Sequence, residues 1–586
     1  MNKDHEGKKP FEGRKPFENK KNFGDKKPYG KKPGEGFRKE GKPFDKKPGE
    51  GFRKEGKPFD KKPGEGFRKE GKPFDKKPGE GFRKEGKPFD KKPGEGFRRE
   101  GRPFDKKPGE GFRKEGKPFD KKPGEGFRRE GKPFDKKPAF SKTAREVALK
   151  ALQDVVRGDA YASQALDRQL GSADLKEEDR RLAASLFYFA VENRLYIEYV
   201  LGSFMESRPE PVINDILHIA AAQLLFMDKI PDHAAVDEAV KQVRAYKREG
   251  FTGLVNGVLR NLIRTRDEGG IRLPEKEEDP EKYLSVRYSI APGVVRRLVE
   301  AFGFEDAEAI CAYRPEGHTQ TIRRNLMRMD AQAFEAYLDK NEIKWEKGRV
   351  PDSYIISGAG SLAMHEGYKT GEFSIQGESS MLAAQAMCVK PGMQVLDACA
   401  APGGKTCLMA ETMRGTGRVF AWDVHEHRVE LIRAAARRLG LENVRTTVRD
   451  ARKPFDSAEL TMDAVLVDAP CSGLGVIADK PDIKYRQSEE SLTALPPLQA
   501  QILEACAKTV KVGGLLVYST CTIMPDENEH RVRAFLKDHP EFEPETDDKW
   551  LPEDLKPLLK DGMLQILPNR DGLEGFFIAR MRRKGV

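Results

Sequence analysis

The sequence has 586 residues and a net charge of +12, of which residues 1–140 carry +20 and residues 141–586 the remaining −8. Its length predicts about three or four domains. The seven scattered cysteines include no C-x-x-C pair, which argues against a disulfide framework or a zinc site, so we expect no metal ion. The absence of an apolar leader or a membrane-length apolar run predicts a cytoplasmic protein rather than a secreted or membrane protein.

Residues 31–135 are seven copies of a 15-residue unit, Lys-Lys-Pro-Gly-Glu-Gly-Phe-Arg-Lys-Glu-Gly-Lys-Pro-Phe-Asp with Lys/Arg exchanges, and residues 1–30 are a degenerate version. The only large apolar residues of each unit are two phenylalanines. Such a unit cannot bury enough surface to offset the entropy of ordering, so we predict that residues 1–140 are disordered. Basic residues interleaved with phenylalanine can bind RNA phosphates and stack on unpaired bases. The alternative is a solvated spacer.

Residues 141–275 place apolar residues at helical spacing throughout. The predicted helices cover residues 143–156, 179–200, 212–226, a segment from 231, and 251–263. This pattern predicts an all-α bundle. The region contains no cluster of catalytic residue types, so we expect it to bind rather than to catalyse.

Residues 276–365 mix helical and strand patterns, which predicts an α+β connecting subdomain. Residues 319–326 alternate like a strand that carries Arg323, Arg324 and Asn325. Arginines on a strand either form a solvated face or hold the phosphates of a nucleic acid. Both interpretations stay open at this point.

Residues 366–586 alternate strands with helices, which predicts a doubly wound parallel sheet of the α/β class. Binding sites in such sheets lie at the carboxyl ends of the strands. Four carboxylates fall there: Asp397, Asp423, Asp450 and Asp468. Asp423 ends the second strand, where a carboxylate accepts hydrogen bonds from ribose hydroxyls. Asp450 is placed either to reach an adenine amino group or to cap a helix.

The strand that ends at Asp397 is followed by the turn Cys399-Ala-Ala-Pro-Gly-Gly-Lys405 and then by a helix. A strand, a glycine turn and a helix N-terminus together favour a nucleotide-like cofactor bound against backbone N–H groups. The rival is a phosphate-binding P-loop, G-x-x-x-x-G-K-[ST], whose first glycine is replaced here by Cys399. Asp423 favours the nucleoside cofactor, since an NTPase gives no reason for a carboxylate at that position.

Cys471 and Cys521 lie in polar turns after the fourth and fifth strands. A cysteine is usually a small buried apolar residue, which suits Cys388, Cys407 and Cys506. Two cysteines that face one crevice indicate nucleophilic chemistry instead. A thiolate that adds to carbon 6 of cytosine makes an enamine, whose carbon 5 can attack an electrophilic methyl group.

Residues 141–586 resemble the bacterial small-subunit ribosomal RNA (cytosine-5)-methyltransferase B family, which joins a NusB-like RNA-binding domain to an S-adenosylmethionine-dependent domain. The motifs that carry the resemblance are Cys399-Ala-Ala-Pro-Gly-Gly-Lys405, Asp468-Ala-Pro-Cys-Ser-Gly473, Ser519-Thr-Cys521, Gly575-Phe-Phe-Ile-Ala579 and residues 251–261. Two positions depart from the family pattern. Gly377 stands where the family usually has Asp, and residues 479–486 lack the usual basic pair before their proline.

The resemblance implies a multidomain fold in which the repeat tail (1–140) precedes a NusB-like all-α domain (141–275), an α+β RNA-binding subdomain (276–365) and a Rossmann-like class I methyltransferase domain (366–586). It implies S-adenosylmethionine as the cofactor. The implied cofactor-binding residues are Cys399, Ala400, Ala401, Pro402, Gly403, Gly404, Lys405, Asp423, Asp450 and Asp468. Cys521 is implied to be the nucleophile and Cys471 to assist product release. Lys405 and Asp468 are implied to orient and protonate the cytosine ring.

The implied substrate is a cytidine of 16S ribosomal RNA. The implied RNA contacts are Arg323, Asn325, Lys484 and Arg486, and we expect a monomer without a membrane partner. Two alternatives stay open: the same methylation on transfer RNA or another RNA, and a non-catalytic RNA-binding scaffold. An amino-group methyltransferase is disfavoured, because it would carry Asn/Asp-Pro-Pro-Tyr/Phe where this chain has Asp468-Ala-Pro-Cys471.

Overall fold

The computed structural model describes residues 142–158, 160–315, 317, 319–358, 360–453 and 461–585. The predicted disorder of residues 1–140 and their predicted RNA affinity lie outside these residues. Within the described residues, no helix combines the length and the apolar character that a membrane span needs.

The N-terminal part of the described chain contains seven helices around one apolar core. They are α1 (Ala144–Arg157), α2 (Ala162–Gly171), α3 (Glu177–Glu192), α4 (Arg194–Gly202), α5 (Pro211–Phe226), α6 (Asp232–Ala245) and α7 (Thr252–Asp267). Helix α5 is buried on nearly every side and packs against α1, α3, α6 and α7. A reciprocal capping box between Thr143 and Glu146 begins α1. These helices confirm the predicted all-α bundle.

Three further helices connect this bundle to the rest of the chain: α8 (Pro280–Tyr288), α9 (Pro292–Phe302) and α10 (Phe304–Ala312). Their apolar residues share a core with Leu474, Ile477 and Ile523, which lie close in sequence to Cys471 and Cys521. The connecting helices therefore support the backbone beside both cysteines.

A four-stranded antiparallel sheet follows in the order β2–β3–β1–β4. Its elements are β1 (Thr319–Arg324), α11 (Ala331–Lys340), β2 (Lys344–Lys347), β3 (Ser353–Ser357), α12 (Glu366–Thr370) and β4 (Phe373–Ile375). The aromatic rings of Phe334, Tyr354 and Phe373 pack edge to face in its core. Strand β1 confirms the alternating pattern of residues 319–326, and it occupies an inner position of the sheet.

The C-terminal part is built on a nine-stranded sheet with the order β11–β12–β13–β9–β8–β5–β6–β7, and β10 pairs with β13. Its strands are β5 (Gln394–Asp397), β6 (Arg418–Asp423), β7 (Val444–Val448), β8 (Met462–Asp468), β9 (Val510–Thr520), β10 (Phe542–Pro544), β11 (Leu559–Lys560), β12 (Met563–Ile566) and β13 (Phe576–Arg583). Its helices are α13 (Glu378–Gln385), α14 (Gly404–Thr412), α15 (Glu426–Leu439), α16 (Ile483–Arg486), α17 (Glu489–Ala507), α18 (Glu529–Asp538) and α19 (Pro568–Asp571).

Strands β5 to β9 are parallel, as predicted, but β10 to β13 pair antiparallel, so the sheet is mixed rather than wholly parallel. The chain runs from β5 outward to β6 and β7 and then returns to the other side of β5 as β8. Such a reversal opens a crevice at the carboxyl ends of the two central strands. The glycine turn follows β5 and the Cys471 turn follows β8, so both border this crevice.

The short helix α16 lies where the bundle, the connecting helices and the nine-stranded sheet domain meet. The Tyr485 hydroxyl donates to the Val191 carbonyl at 2.6 Å and lies 3.0 Å from the Ser289 hydroxyl. The Lys484 Nζ donates to the carbonyls of Glu192 and Tyr288, each at 3.4 Å. Lys484 is buried and Tyr485 is half-buried, so α16 fixes the helical parts to the sheet domain.

Replacement of Lys484 by Met should change how stability depends on pH. Burial lowers the pKa of Lys484 from 10.5 to about 7, with a smaller effect from Arg314. Between these two values the unfolded chain holds the proton and the folded chain does not, so the stability contribution of Lys484 rises with pH. We expect the unfolding free energy of wild type minus that of Lys484→Met to grow by about 1.4 kcal/mol per pH unit above pH 7. Urea unfolding across this range measures it, and a constant difference would contradict it.

Candidate active site

The glycine turn is held between the two strands that flank β5. The Ala398 N–H donates to the Leu466 carbonyl of β8 at 2.9 Å, and the Ala400 N–H donates to the Trp422 carbonyl of β6 at 2.8 Å. Gly403 has φ of 108°, and a Cβ there would lie 3.2 Å from the Cα of Ile432. Only glycine meets both conditions without strain. The turn therefore places the N-terminus of α14 at the edge of the crevice.

Two carboxylates, Asp397 and Asp423, show whether the crevice fits a nucleoside cofactor. Asp397 is buried, and its Oδ2 accepts from the Thr406 hydroxyl at 2.6 Å, whereas its Oδ1 has no hydrogen-bond partner among the described residues. Burial raises the pKa of Asp397 to about 7, and the nearby Asp468 adds to the increase. Asp423 ends β6 and is 4% exposed. An unpaired buried oxygen beside the turn fits a cationic amino group, and Asp423 fits ribose hydroxyls.

Asp450 lies beside Asp423, because the Arg449 N–H donates to the Asp423 carbonyl at 2.9 Å. Its carboxylate accepts from the backbone N–H of Arg452 at 3.1 Å and from the Arg452 guanidinium at 2.7 Å. The guanidinium hydrogen bond lowers the pKa of Asp450 to about 2. The structure thus places Asp450 beside Asp423, and its hydrogen bonds with Arg452 form a local turn, where no described helix begins.

Lys405 and Asp468 form an ion pair across the crevice, with 2.8 Å between Nζ and Oδ2. The other oxygen of Asp468 accepts from the Ser519 hydroxyl at 2.8 Å, and the Phe576 ring lies 5.2 Å from the lysine nitrogen. Burial opposes the charged form of Lys405, but the Asp468 carboxylate outweighs it and the pKa of Lys405 is raised. The pair therefore presents an ammonium donor and a carboxylate at one point.

The sulfur atoms of Cys471 and Cys521 lie 3.4 Å apart. The hydrogen bond from the Cys471 thiol lowers the pKa of Cys521 despite burial, and Lys480 and Lys405 act in the same direction. The same hydrogen bond and burial raise the pKa of Cys471 well above that of an ordinary thiol. The arrangement favours ionisation of Cys521 over that of Cys471, and Asp468 affects the pKa of both. The glycine turn and the two cysteines therefore share one crevice.

Sequence reasoning missed the close backbone packing beside Cys521. The Gly475 N–H donates to the Cys521 carbonyl at 3.0 Å, and the Gly575 N–H donates to the Gly475 carbonyl at 2.9 Å. A Cβ on Gly475 would overlap the Gly575 carbonyl. The glycines in the motifs that include Gly473 and Gly575 are the sequence signal that could have predicted it. The buried carboxylate of Glu527 was missed as well.

The predicted RNA contacts on β1 need correction. Arg323 is fully buried, where it forms an ion pair with Glu411 of α14 and donates to Gln376 at 2.9 Å. Asn325 is also fully buried and donates to the Gly371 carbonyl at 2.8 Å. Neither side chain is accessible to RNA, because Arg323 is bound by Glu411 of α14 and Asn325 by the carbonyls of Gly371 and Leu439.

The predicted RNA contacts in α16 are also engaged inside the protein. Lys484 is 1% exposed. Arg486 forms an ion pair with Asp482 at 3.0 Å and stacks over the Tyr161 ring, with its guanidinium carbon 4.7 Å from the ring centre. Both residues join parts of this chain to one another, which accounts for their basic character without RNA.

The carboxylate of Glu574 takes the place of the aspartate that the family usually has at position 377. Gly377 is the N-cap of α13 and its backbone is extended, with φ of −69°. A Cβ at Gly377 would overlap the carboxylate of Glu574, which accepts from the Ser379 N–H at 3.2 Å. Glu574 thus caps α13 from a distant part of the chain, and the missing side chain of Gly377 makes room for it.

The family model for 16S rRNA methyltransferase RsmB/F matches residues 384–582, and the NusB family model matches residues 142–264. The chain is 39% identical over 447 residues to the probable ribosomal RNA small subunit methyltransferase B of Bacillus subtilis, covering 76% of this chain and 99% of that protein. It is 31% identical over 448 residues to the protein of the same name from Synechocystis, covering 75% and 99%. The crystal structure of PH0851 is similar with a TM-score of 0.65 at 26% identity, over 75% of this chain and 98% of that one.

Glu574 and position 377 should be coupled in a double-mutant cycle. Glu574→Ala removes the cap of α13 and should lower the unfolding free energy by about 1 kcal/mol. In a Gly377→Asp background the new aspartate supplies the cap, so the same change should cost less than about 0.5 kcal/mol. Urea unfolding of the four proteins measures the coupling. Equal costs in both backgrounds would show that Glu574 does not act as the cap.

The thiol pair should be visible in the pH dependence of alkylation. At neutral pH, iodoacetamide should modify Cys521 faster than Cys471, because the pKa of Cys521 is lowered and that of Cys471 is raised. Cys471→Ala removes the hydrogen bond that lowers the pKa of Cys521, and should therefore reduce the labelling of Cys521 near neutral pH. Site-resolved mass spectrometry measures both rates. Cys388→Ala is the control, because Cys388 is exposed, so its predicted place among the buried cysteines was wrong. An unchanged Cys521 profile in Cys471→Ala would contradict the pairing.

Proposed function

The chain belongs to the 16S rRNA methyltransferase RsmB/F family, and from this membership we propose that it methylates carbon 5 of a cytidine in small-subunit ribosomal RNA. It is a methyltransferase that uses S-adenosylmethionine and acts on ribosomal RNA. The observation that carries the finer proposal is the pair of sulfur atoms 3.4 Å apart, with opposite pKa shifts. Methylation of a base nitrogen or a ribose hydroxyl would not require such a pair.

The first step is attack by the Cys521 thiolate on carbon 6 of the target cytosine. Carbon 5 of cytosine is a weak nucleophile, and the new bond at carbon 6 makes an enamine that is nucleophilic at carbon 5. The lowered pKa of Cys521 supports this role, because the thiolate and not the thiol is the nucleophile. Bound S-adenosylmethionine supplies an electrophilic methyl group.

Lys405 and Asp468 are suited to hold the cytosine ring during attack. The ring takes up negative charge as the thiolate adds, and a fixed ammonium donor stabilises that charge in a partly buried site. The raised pKa of Lys405 keeps it protonated. Asp468 is held by Ser519 at 2.8 Å, which fixes the position of the lysine.

The second step is release, for which Cys471 is the proposed base. Bond formation removes the charge on the Cys521 sulfur, and that thiolate is the main reason why the pKa of Cys471 is raised. Cys471 can then lose its proton to solvent and accept the proton from carbon 5. The electron pair of that C–H bond restores the double bond between carbons 5 and 6, and Cys521 leaves as a thiolate.

We further propose that residues 141–275 and 276–365 bind RNA beside a methyltransferase domain at residues 366–586. The base must leave its stack to reach thiols at the bottom of a crevice, so an unpaired cytidine is the expected target. The monomeric state and the independence from metal ions stay predictions.

Cysteine variants test the order of the two steps. Cys521→Ala should lower methylation by on the order of 10³-fold or more, because the nucleophile is lost. Cys471→Ala should form a covalent RNA–protein adduct that survives a denaturing gel, since attack proceeds and release does not. Cys388→Ala is the matched control and should behave as wild type. Full activity of Cys521→Ala, or a Cys471→Ala protein without adduct, would refute the proposed mechanism.

The substrate is tested by bisulfite sequencing of RNA from a strain that lacks the protein. We expect the loss of a 5-methylcytidine signal at one position in small-subunit ribosomal RNA. A loss in transfer RNA instead would identify the alternative substrate, and no loss in any RNA would favour the non-catalytic scaffold.

A further inference from the structure

A buried carboxylate lies behind the two cysteines. Glu527 is 2% exposed and follows the Cys521 turn, two residues before α18 begins. Its Oε2 accepts from the Ser472 N–H at 3.0 Å and from the Gln499 side-chain amide at 2.8 Å. Its Oε1 accepts from the Ser472 hydroxyl. A buried charge needs such donors to be stable, and Glu527 has three.

These hydrogen bonds hold the chain on both sides of Cys471. Ser472, directly after the cysteine, is bound through its backbone and its hydroxyl. Pro470, directly before it, is bound through Gln499, whose amide donates to the Pro470 carbonyl at 3.0 Å and to Glu527. The position of Cys471 therefore depends on the carboxylate of Glu527.

The same network reaches the residue that follows Cys521. The hydroxyls of Ser472 and Thr522 lie 2.7 Å apart, and the Met524 N–H donates to the Thr522 hydroxyl oxygen at 3.3 Å. With Ser472 donating to Glu527, Thr522 must donate to Ser472. The Glu527 carboxylate thus fixes the direction of the hydrogen bonds from Thr522 to Ser472 and from Ser472 to Glu527. These hydrogen bonds join the two cysteine turns.

The two cysteines do not depend on this network equally. Cys521 follows β9, which pairs with both β8 and β13, and its carbonyl accepts from Gly475 at 3.0 Å. Cys471 lies in a loop, where Glu527 and Gln499 hold its two neighbours. Loss of the carboxylate should therefore displace Cys471 more than Cys521.

We infer that Glu527 is a positioning residue that keeps Cys471 at the Cys521 sulfur, and that it is required for product release rather than for attack. This inference rests on the proposed function. Glu527 does not touch the substrate. It acts through the backbone of Ser472 and through Gln499, and it determines how much of the covalent RNA–protein intermediate is resolved.

Glu527→Gln tests the inference in the full chain with ribosomal RNA and S-adenosylmethionine. The amide keeps the shape of the side chain but removes the charge that strengthens these hydrogen bonds, and its NH₂ group forces the Ser472 hydroxyl to accept where it now donates, so the Cys471 loop is held less firmly. We expect release to slow by about 10- to 100-fold, since a misplacement of about 1 Å costs on the order of 10²-fold. The covalent adduct should accumulate, because its formation slows only through the weaker hydrogen bond to Cys521 and should therefore slow less than its release.

Three comparisons make the outcome decisive. Glu529→Gln is the matched control, because it makes the same change in a surface ion pair with Arg533, and it should behave as wild type. Gln499→Leu removes the hydrogen bonds to both the Pro470 carbonyl and Glu527 and should also accumulate adduct, which keeps the test available if Glu527→Gln does not fold. Cys471→Ala must trap the adduct, since otherwise the proposed function itself is wrong.

The inference is overturned if Cys471→Ala traps the adduct and Glu527→Gln, folded with wild-type thermal stability, releases product as fast as wild type. It is also overturned if attack and release slow by the same factor, because a general loss of structure would do that.

Discussion

The parallel pairing of β8 with β9 is the constraint on which the site depends. Asp468 pairs with Ser519 in this register, so the chain leaves both strands at the same level of the sheet. Cys471 and Cys521 follow within three residues, and their turns therefore meet. A shift of the register by one residue would move every side chain of one strand to the opposite face and separate the two sulfur atoms. The opposite pKa shifts of the thiols are a consequence of this backbone geometry, because they require a hydrogen bond across the 3.4 Å gap.

The cysteine pair also needs polar groups that are costly to bury. Isolated buried charges destabilise a protein, and partners offset the cost only when the geometry is good. Lys405 with Asp468 and Glu527 with its three donors meet this condition on either side of the two sulfur atoms. Arg323 with Glu411 does the same between the four-stranded sheet and α14. Each of these charged groups fixes a segment that borders the crevice. The buried charges therefore lie at the turns that they hold in place.

Most of the sheet domain could be predicted from the sequence, because the carboxyl ends of parallel strands must share an edge. That rule alone predicts that the glycine turn, Asp423, Asp468 and the two cysteines lie close together. The antiparallel pairing of β10 to β13 could not be predicted in this way, because the composition of a short apolar strand does not show whether it pairs parallel or antiparallel. The burial of Arg323 was missed for a related reason: strand alternation shows which residues share a face but not which helix covers it. Glu527 was missed because a glutamate among charged neighbours usually indicates a solvated surface.

The segment from Cys471 to Gln487 links the chemistry to the meeting point of the domains. At its start, Gln487 donates to the Ser472 carbonyl at 2.6 Å, beside Cys471. In its middle, Gly475 binds the Cys521 carbonyl. At its end, α16 places Tyr485 against the Val191 carbonyl of the helical bundle. One short stretch thus contacts both cysteine turns and the bundle, and each contact uses a backbone group that cannot move independently of its neighbours. A displacement of the bundle would be transmitted to the Cys471 loop through α16, whereas Cys521 is fixed by its strand. The position of Cys471, the proposed release cysteine, therefore depends on the position of the NusB-like domain.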